Sequence, residues 1–122
     1  MIEDRTCVVC GRRIAWRRSL ARDWEHVTTC SQRCRRTGIR PIDHELETVI
    51  LELLSARAHG ATICPSEAAR IVGGENWRSL MEPARMAARR LVHAGSIEVL
   101  QRGRAVDPST AKGPIRLRRR TA

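Results

Sequence analysis

With 122 residues, 23 of them Lys or Arg against 13 Asp or Glu, the chain carries a formal charge of +10. That length suits one ordinary domain or two very small ones. No stretch is long and apolar enough to span a membrane, and Met1–Cys10, with Glu3, Asp4 and Arg5, lacks the apolar run of a signal peptide. The expected compartment is therefore the cytoplasm.

The charge is polarised along the chain. Residues 1–40 carry +6, residues 41–101 carry −2 and residues 102–122 carry +6. Of the basic residues 22 are Arg, and Phe and Tyr are absent, as in a G+C-rich genome. That bias explains Arg in place of Lys but not the excess of base over acid. Positive ends around a near-neutral middle suit a polyanion such as DNA or RNA, or another acidic partner.

In chain order the first signal is Cys7-x2-Cys10 and Cys30-x3-Cys34, separated by 19 residues. In a reducing compartment, paired cysteines read as metal ligands before disulfides. Two short-spaced thiolate pairs can close a tetrahedron around one structural Zn²⁺, which lets about 30 residues fold around a very small core. Gly11 permits a tight turn after the second thiolate. The i,i+4 spacing of Cys30 and Cys34 places both sulfurs on one face of a helix, in its first turn. This is the layout of a treble-clef-like zinc knuckle over residues 1–40. A redox dithiol at Cys7 and Cys10 would leave the second pair unexplained. His26 is a further candidate ligand near Cys30. Trp16, Leu20 and Trp24 recur at helical spacing, with Val27 a turn on, and residues 14–29 read as a helix or as a hairpin. The tryptophans either pack on the metal site or offer stacking platforms to bases.

The second module covers residues 41–122. A helix begins after the connector Arg35–Pro41, with Asp43 as its cap and Leu46, Val49, Ile50, Leu53 and Leu54 as its apolar stripe, and Gly60 ends it. Thr62-Ile63 is a tiny strand. Pro65 opens a second helix with Cys64 as its cap residue, and Gly73-Gly74 stops it. Cys64 is the fifth cysteine, a buried cap or a reactive thiol. Pro83 is expected to split a third helical region into Trp77–Met81 and Pro83–Ala94. Ala84, Ala87, Ala88, Leu91 and Val92 form its apolar face, and Arg85, Met86, Arg89, Arg90 and His93 the opposite one. After Gly95 the period becomes two: Ile97 and Val99, then Ile115 and Leu117, alternate with polar residues across a loop holding Lys112.

The expected fold is mainly α with small β, the zinc knuckle being followed by a winged helix-turn-helix. In that architecture the third helix enters the major groove and the hairpin lies along the backbone. Arg78, Arg85, Arg89 and Arg90 would then face DNA, with Arg102, Arg104 and Lys112 on the wing and the tail Arg116–Arg120, Arg116 and Arg118 among it, following phosphate. Burial of these arginines against the knuckle or a second subunit would remove most of the support for the DNA reading. No catalytic constellation stands out, and no enzyme is expected.

The stretches Cys7-Val-Val-Cys-Gly-Arg-Arg-Ile-Ala-Trp-Arg-Arg, Trp24-Glu-His-Val and Cys30-Ser-Gln-Arg-Cys-Arg resemble a small bacterial zinc-knuckle family of unknown function. Thr62-Ile-Cys-Pro-Ser-Glu-Ala-Ala-Arg, Trp77-Arg-Ser-Leu-Met and Gly113-Pro-Ile-Arg-Leu resemble a second bacterial family of unknown function, regarded as winged-helix. Ile14 and Thr29 stand where the first family has aromatics, which weakens the small core and leaves the ligands intact. The resemblance implies a fold and a metal but no activity. The function expected is nucleic-acid binding, duplex DNA ahead of structured RNA; the alternative is docking of an acidic protein or dimerisation.

Overall fold

The computed structural model describes residues 3–120. It is a mainly helical molecule with two small sheets. At the N-terminus β1 (Arg5–Thr6) pairs antiparallel with β2 (Arg13–Ile14), and Cys7–Cys10 lie in the loop they enclose. The two readings of residues 14–29 resolve into a short strand followed by a 3-10 helix over Arg18–His26. Arg17 gives that helix no side-chain cap, and it kinks at Asp23 (φ −114°, ψ 16°). Trp16 precedes it and leaves the expected stripe, 39% exposed, whereas Leu20, Trp24 and Val27 pack against the cysteines. α1 (Gln32–Thr37) begins at Ser31, whose Oγ accepts the Cys34 N–H at 3.2 Å. Cys30 therefore sits just before the helix, not in its first turn as expected.

α2 (Pro41–Ser55) is capped differently from the expectation. Pro41 occupies the first helical position, where its missing N–H costs nothing. Asp43 lies inside the helix and accepts the Arg40 backbone N–H at 2.8 Å, a capping box closed from within. The helix ends at Ser55, ahead of Gly60, which supplies a later turn at φ +85°. β3 (Thr62–Ile63) leads to α3 (Pro65–Gly73), with Cys64 at the cap position as expected.

A 3-10 turn over Gly74–Leu80 then runs into α4 (Met81–His93). Pro83 does not interrupt α4. It falls in the first turn, among the N–H groups that no helix can pair, so its ring breaks no hydrogen bond. Ala84, Ala87 and Ala88 are fully buried, and their small side chains let α4 lie close to α2 and α3.

The second sheet is antiparallel, in the order β3-β6-β4-β5, from β4 (Ile97–Gln101), β5 (Arg104–Ala105) and β6 (Arg116–Arg119). β5 was not expected. Arg102 and Gly103, at φ +52° and +79°, make the tight turn that folds it back on β4. Leu46, Ile50, Ile63, Ile97, Val99 and Leu117 fill the space between helices and sheet. The cysteines form a separate small core that includes Met86, an α4 residue.

Candidate metal centre and the arginines beside it

The four sulfurs of Cys7, Cys10, Cys30 and Cys34 lie within 4.8 Å of one another. Cys30 Sγ is 3.6 Å from both Cys10 Sγ and Cys34 Sγ. A disulfide needs about 2.0 Å, so these are free thiols. A tetrahedral ion with metal–sulfur bonds of about 2.3 Å has sulfur–sulfur edges of about 3.8 Å, and the cluster has that size. The group could bind a metal ion. His26 is exposed and stands outside it.

The backbone builds the cluster. Gly11 N–H donates to Cys7 O at 3.0 Å, and Cys7 N–H donates to Arg12 O at 2.8 Å, which closes the first loop. Cys10 N–H points at Cys7 Sγ at 3.5 Å. Val8 N–H donates to Thr28 O at 2.9 Å, and Arg5 Nε donates to Val27 O at 2.8 Å, so the segment entering Cys30 lies alongside the first pair.

Burial pushes the Cys10 thiol up to about 12, with the neighbouring cysteines adding to the rise. Burial also raises Cys34. Cys7 moves the other way. Burial opposes its ionisation, but backbone N–H groups of Cys10, Cys30 and Val9 outweigh that and bring it down to about 7. Buried thiols that resist ionising together become a coherent set once a cation supplies the opposite charge.

Directly behind the first loop runs α4. Gly11 adopts φ +77° and packs so tightly that a Cβ there would collide with Arg89 Cβ. Turn geometry alone asks for a glycine here; the close approach to α4 asks for it a second time.

Here the structure corrects the sequence reading. Arg89 and Arg90 were expected on the outer face of the third helix, and both point inward. Arg89, 7% exposed, donates from Nε to Cys10 O at 2.5 Å and from Nη2 to Glu82 at 3.0 Å. Arg90 donates from Nη1 to Val9 O at 2.5 Å, from Nε to Glu47 at 2.8 Å and from Nη2 to Asp43 O at 3.2 Å. Two guanidiniums thus clamp the cysteine-bearing loop onto α2 and α4. The cause is a competition that an apolar-moment reading does not see. The face opposite the alanines is covered by the knuckle, and its arginines satisfy carbonyls that the loop cannot pair internally.

The other expected contact residues divide. Arg102, Arg104 and Lys112 are exposed on the β4–β5 turn and the following loop. Arg78 is exposed, with its guanidinium over the Trp77 ring at 4.6 Å, and Arg70 lies over the same ring at 4.3 Å. Arg116 is held by Thr62, and Arg118 donates to Glu98 at 2.7 Å. Arg85 is half-buried, and its Nε lacks a hydrogen-bond partner among the described residues. Cys64 accepts a hydrogen bond from Ser66 Oγ at 3.1 Å and is half-buried. No helix among the described residues is long and apolar enough to cross a membrane.

The sequence reading missed three roles. Arg13 ties the knuckle to the loop before β6, its guanidinium pairing with Asp107 and its backbone N–H donating to Ser109 Oγ at 2.9 Å. Asp43 and Glu47 on α2 receive Arg90. The one signal available was the pairing of acidic α2 positions with arginines on a later helix.

Two family models match the chain. One, described as "Protein of unknown function (DUF3253)", covers residues 43–120. The other, described as "Uncharacterized protein conserved in bacteria (DUF2256)", covers residues 2–37. None of the curated proteins compared with the chain matches it.

Proposed function

We propose that this chain, which belongs to the family described as protein of unknown function DUF3253, is a zinc-stabilised nucleic-acid-binding protein. Four sulfur ligands leave no coordination position for water, so the metal's role is structural, in a treble-clef-like knuckle. The helix–strand–helix–helix–strand order with its β4–β5 turn fits a winged-helix body.

The surface that carries the reading differs from the one the fold alone would suggest. Arg89 and Arg90 are occupied by loop carbonyls and carboxylates, so α4 is not free to lay them in a groove. The knuckle offers the alternative. Arg17, Arg18, Arg22, Arg33, Arg35 and Arg36 are exposed, and among the described residues none of them forms an ion pair. Trp16, next to Arg17 and Arg18 in the chain, is also exposed. Unpaired guanidiniums and an accessible indole suit phosphates flanking a stacked base. This set of exposed, unpaired arginines is the single observation that carries the proposal.

Anisotropy titrations of labelled duplex, single strand and structured RNA at two salt concentrations test it. Combined Arg17→Ala, Arg18→Ala and Arg22→Ala should reduce the slope of log affinity against log salt by about three. Trp16→Phe should weaken single-strand binding. Unchanged binding in both variants would overturn the reading.

A second reading, docking of an acidic protein, has an observation of its own. Ile71 is 60% exposed on α3, whose neighbour Arg70 joins Arg78 over the Trp77 ring. Loss of partner capture on Ile71→Ser, with oligonucleotide affinity unaltered, would favour it.

A further inference from the structure

A cavity of about 250 Å³ lies where the first cysteine loop, α4 and the loop before β6 meet. Its charged lining is Arg12, Arg85, Arg89 and Lys112, with Glu82 as the one carboxylate. Glu82 is already taken by Arg89, and Arg89 Nε by Cys10 O. Among the described residues Arg12, Arg85 and Lys112, from three separate segments, form no ion pair.

Arg85 is the most informative of them. Its Nε is covered from water and has no acceptor among the described residues. Among the described residues its guanidinium forms no ion pair. A covered, unpaired donor is unfavourable, and it persists more readily where a ligand supplies the acceptor. Arg85 lines the cavity, and a guanidinium fork matches two oxygens of one anion.

The loop before β6, which carries Lys112, is tied to its neighbours. Arg13 N–H donates to Ser109 Oγ at 2.9 Å, and Ser109 N–H donates to Asp107 Oδ1 at 2.9 Å. Gln101 Nε2 holds the Lys112 carbonyl at 2.6 Å. Cations held by a braced frame need little reorganisation to bind. The volume falls below the usual range for drug-sized ligands, so it suits a small ion or one group of a larger molecule.

We propose that this cavity is a phosphate site in which Arg85 supplies the bidentate fork, with Arg12 and Lys112 completing the charge. A tetrahedral, multiply charged oxyanion uses three convergent cations more fully than a single planar carboxylate does. The phosphate comes either as a free small anion or as a diester of a nucleic-acid chain. The site itself does not depend on the knuckle-face reading above.

Calorimetry and thermal melting of the intact metal-loaded chain test it, with inorganic phosphate and pyrophosphate as probes and chloride at matched ionic strength as control. Saturable binding with a raised melting temperature is expected for the phosphates and not for chloride. Arg85→Ala and Lys112→Ala should each weaken it about tenfold. Without ligand, Arg85→Ala should melt no lower than the parent, since it deletes an unpaired donor, and Lys112→Ala, on an exposed loop, guards against a folding artefact. Absence of saturation, equal stabilisation by chloride, or undiminished binding in both variants would overturn the proposal. Displacement of a labelled oligonucleotide by saturating phosphate identifies a diester as the source; an undisturbed oligonucleotide identifies the free anion. The Arg17, Arg18 and Arg22 triple variant should keep phosphate binding even if it loses the oligonucleotide, which separates the two proposals.

Discussion

Two sets of arginines belong to the cysteine-bearing region or pack against it, and they do opposite things. In one set Arg89 and Arg90 are sealed against the Val9–Cys10 carbonyls, Glu47, Asp43 and Glu82. In the other, Arg17, Arg18, Arg22, Arg33, Arg35 and Arg36 are exposed. The residue type is the same, and so is the formal charge. The inner pair assembles the molecule, and the outer set is left free to meet a partner. A net charge of +10 therefore overstates what a partner meets. The lesson is general for small basic proteins: arginine near an irregular loop is recruited first by unpaired carbonyls.

The strongest way to break this comparison is to take away the zinc proposed for the four cysteines. Structural zinc contributes about 10–16 kcal/mol in isolated finger peptides. Chelation, or Cys7→Ser, should unfold the knuckle and lower the melting temperature of the helical body as well, because two nearly buried guanidiniums lose their carbonyl acceptors. Circular dichroism with metal analysis checks both. A body that melts unchanged would separate the two regions energetically.

Next in size is Arg90→Ala. Its side chain is 9% exposed and joins three elements. Breaking such a network should cost about 2–4 kcal/mol, read as a denaturant midpoint shift. The triple Ala variant at Arg17, Arg18 and Arg22 should change stability by less than about 0.5 kcal/mol. Equal costs for the inner and outer sets would erase the distinction drawn above.

Asp43 sharpens the comparison through pH. Burial opposes its ionisation, but hydrogen bonds from the Arg40 side chain and backbone, with the Arg40 and Arg90 charges, hold the carboxyl below the usual range. A depressed value in the folded state means that the carboxylate's contribution is complete above about pH 4 and is lost as pH falls through the lower folded value. Asp43→Asn should be less stable at neutral pH, and the gap should narrow in acid, as melting curves across that range would show. The smallest effect is expected at Arg118 and Glu98, about a third exposed each. Arg118→Ala should cost about 0.2–1 kcal/mol, less at high salt.

Much of this architecture is legible in the chain. Cysteine spacing names the four sulfurs because short i,i+3 and i,i+4 intervals fix where sulfur can lie. The Leu46, Ile50, Leu54 stripe and the Ile97, Val99 alternation mark the body's core because burial follows period. Three features escape that kind of reading. Pro83 looks like a helix breaker until its position in the first turn is known. Asp43 caps from inside the helix rather than in front of it. Arg89 and Arg90 lie on a polar face, and polar faces default to solvent unless another segment covers them. Which segment covers which face is decided by tertiary contact, here by Gly11 coming flush against α4. Periodicity within one helix holds no information about that.

Hydrogen exchange of the α4 amides, Met81–His93, with the metal bound and after chelation, tests most directly whether this helix is joined to the metal loop through Arg89 and Arg90. Faster exchange along α4 once the metal is stripped, reproduced by Arg89→Ala in the loaded chain, is the expected result. Exchange that is indifferent to the metal, with Arg89→Ala behaving like the parent, would show that the two guanidiniums do not clamp the loop.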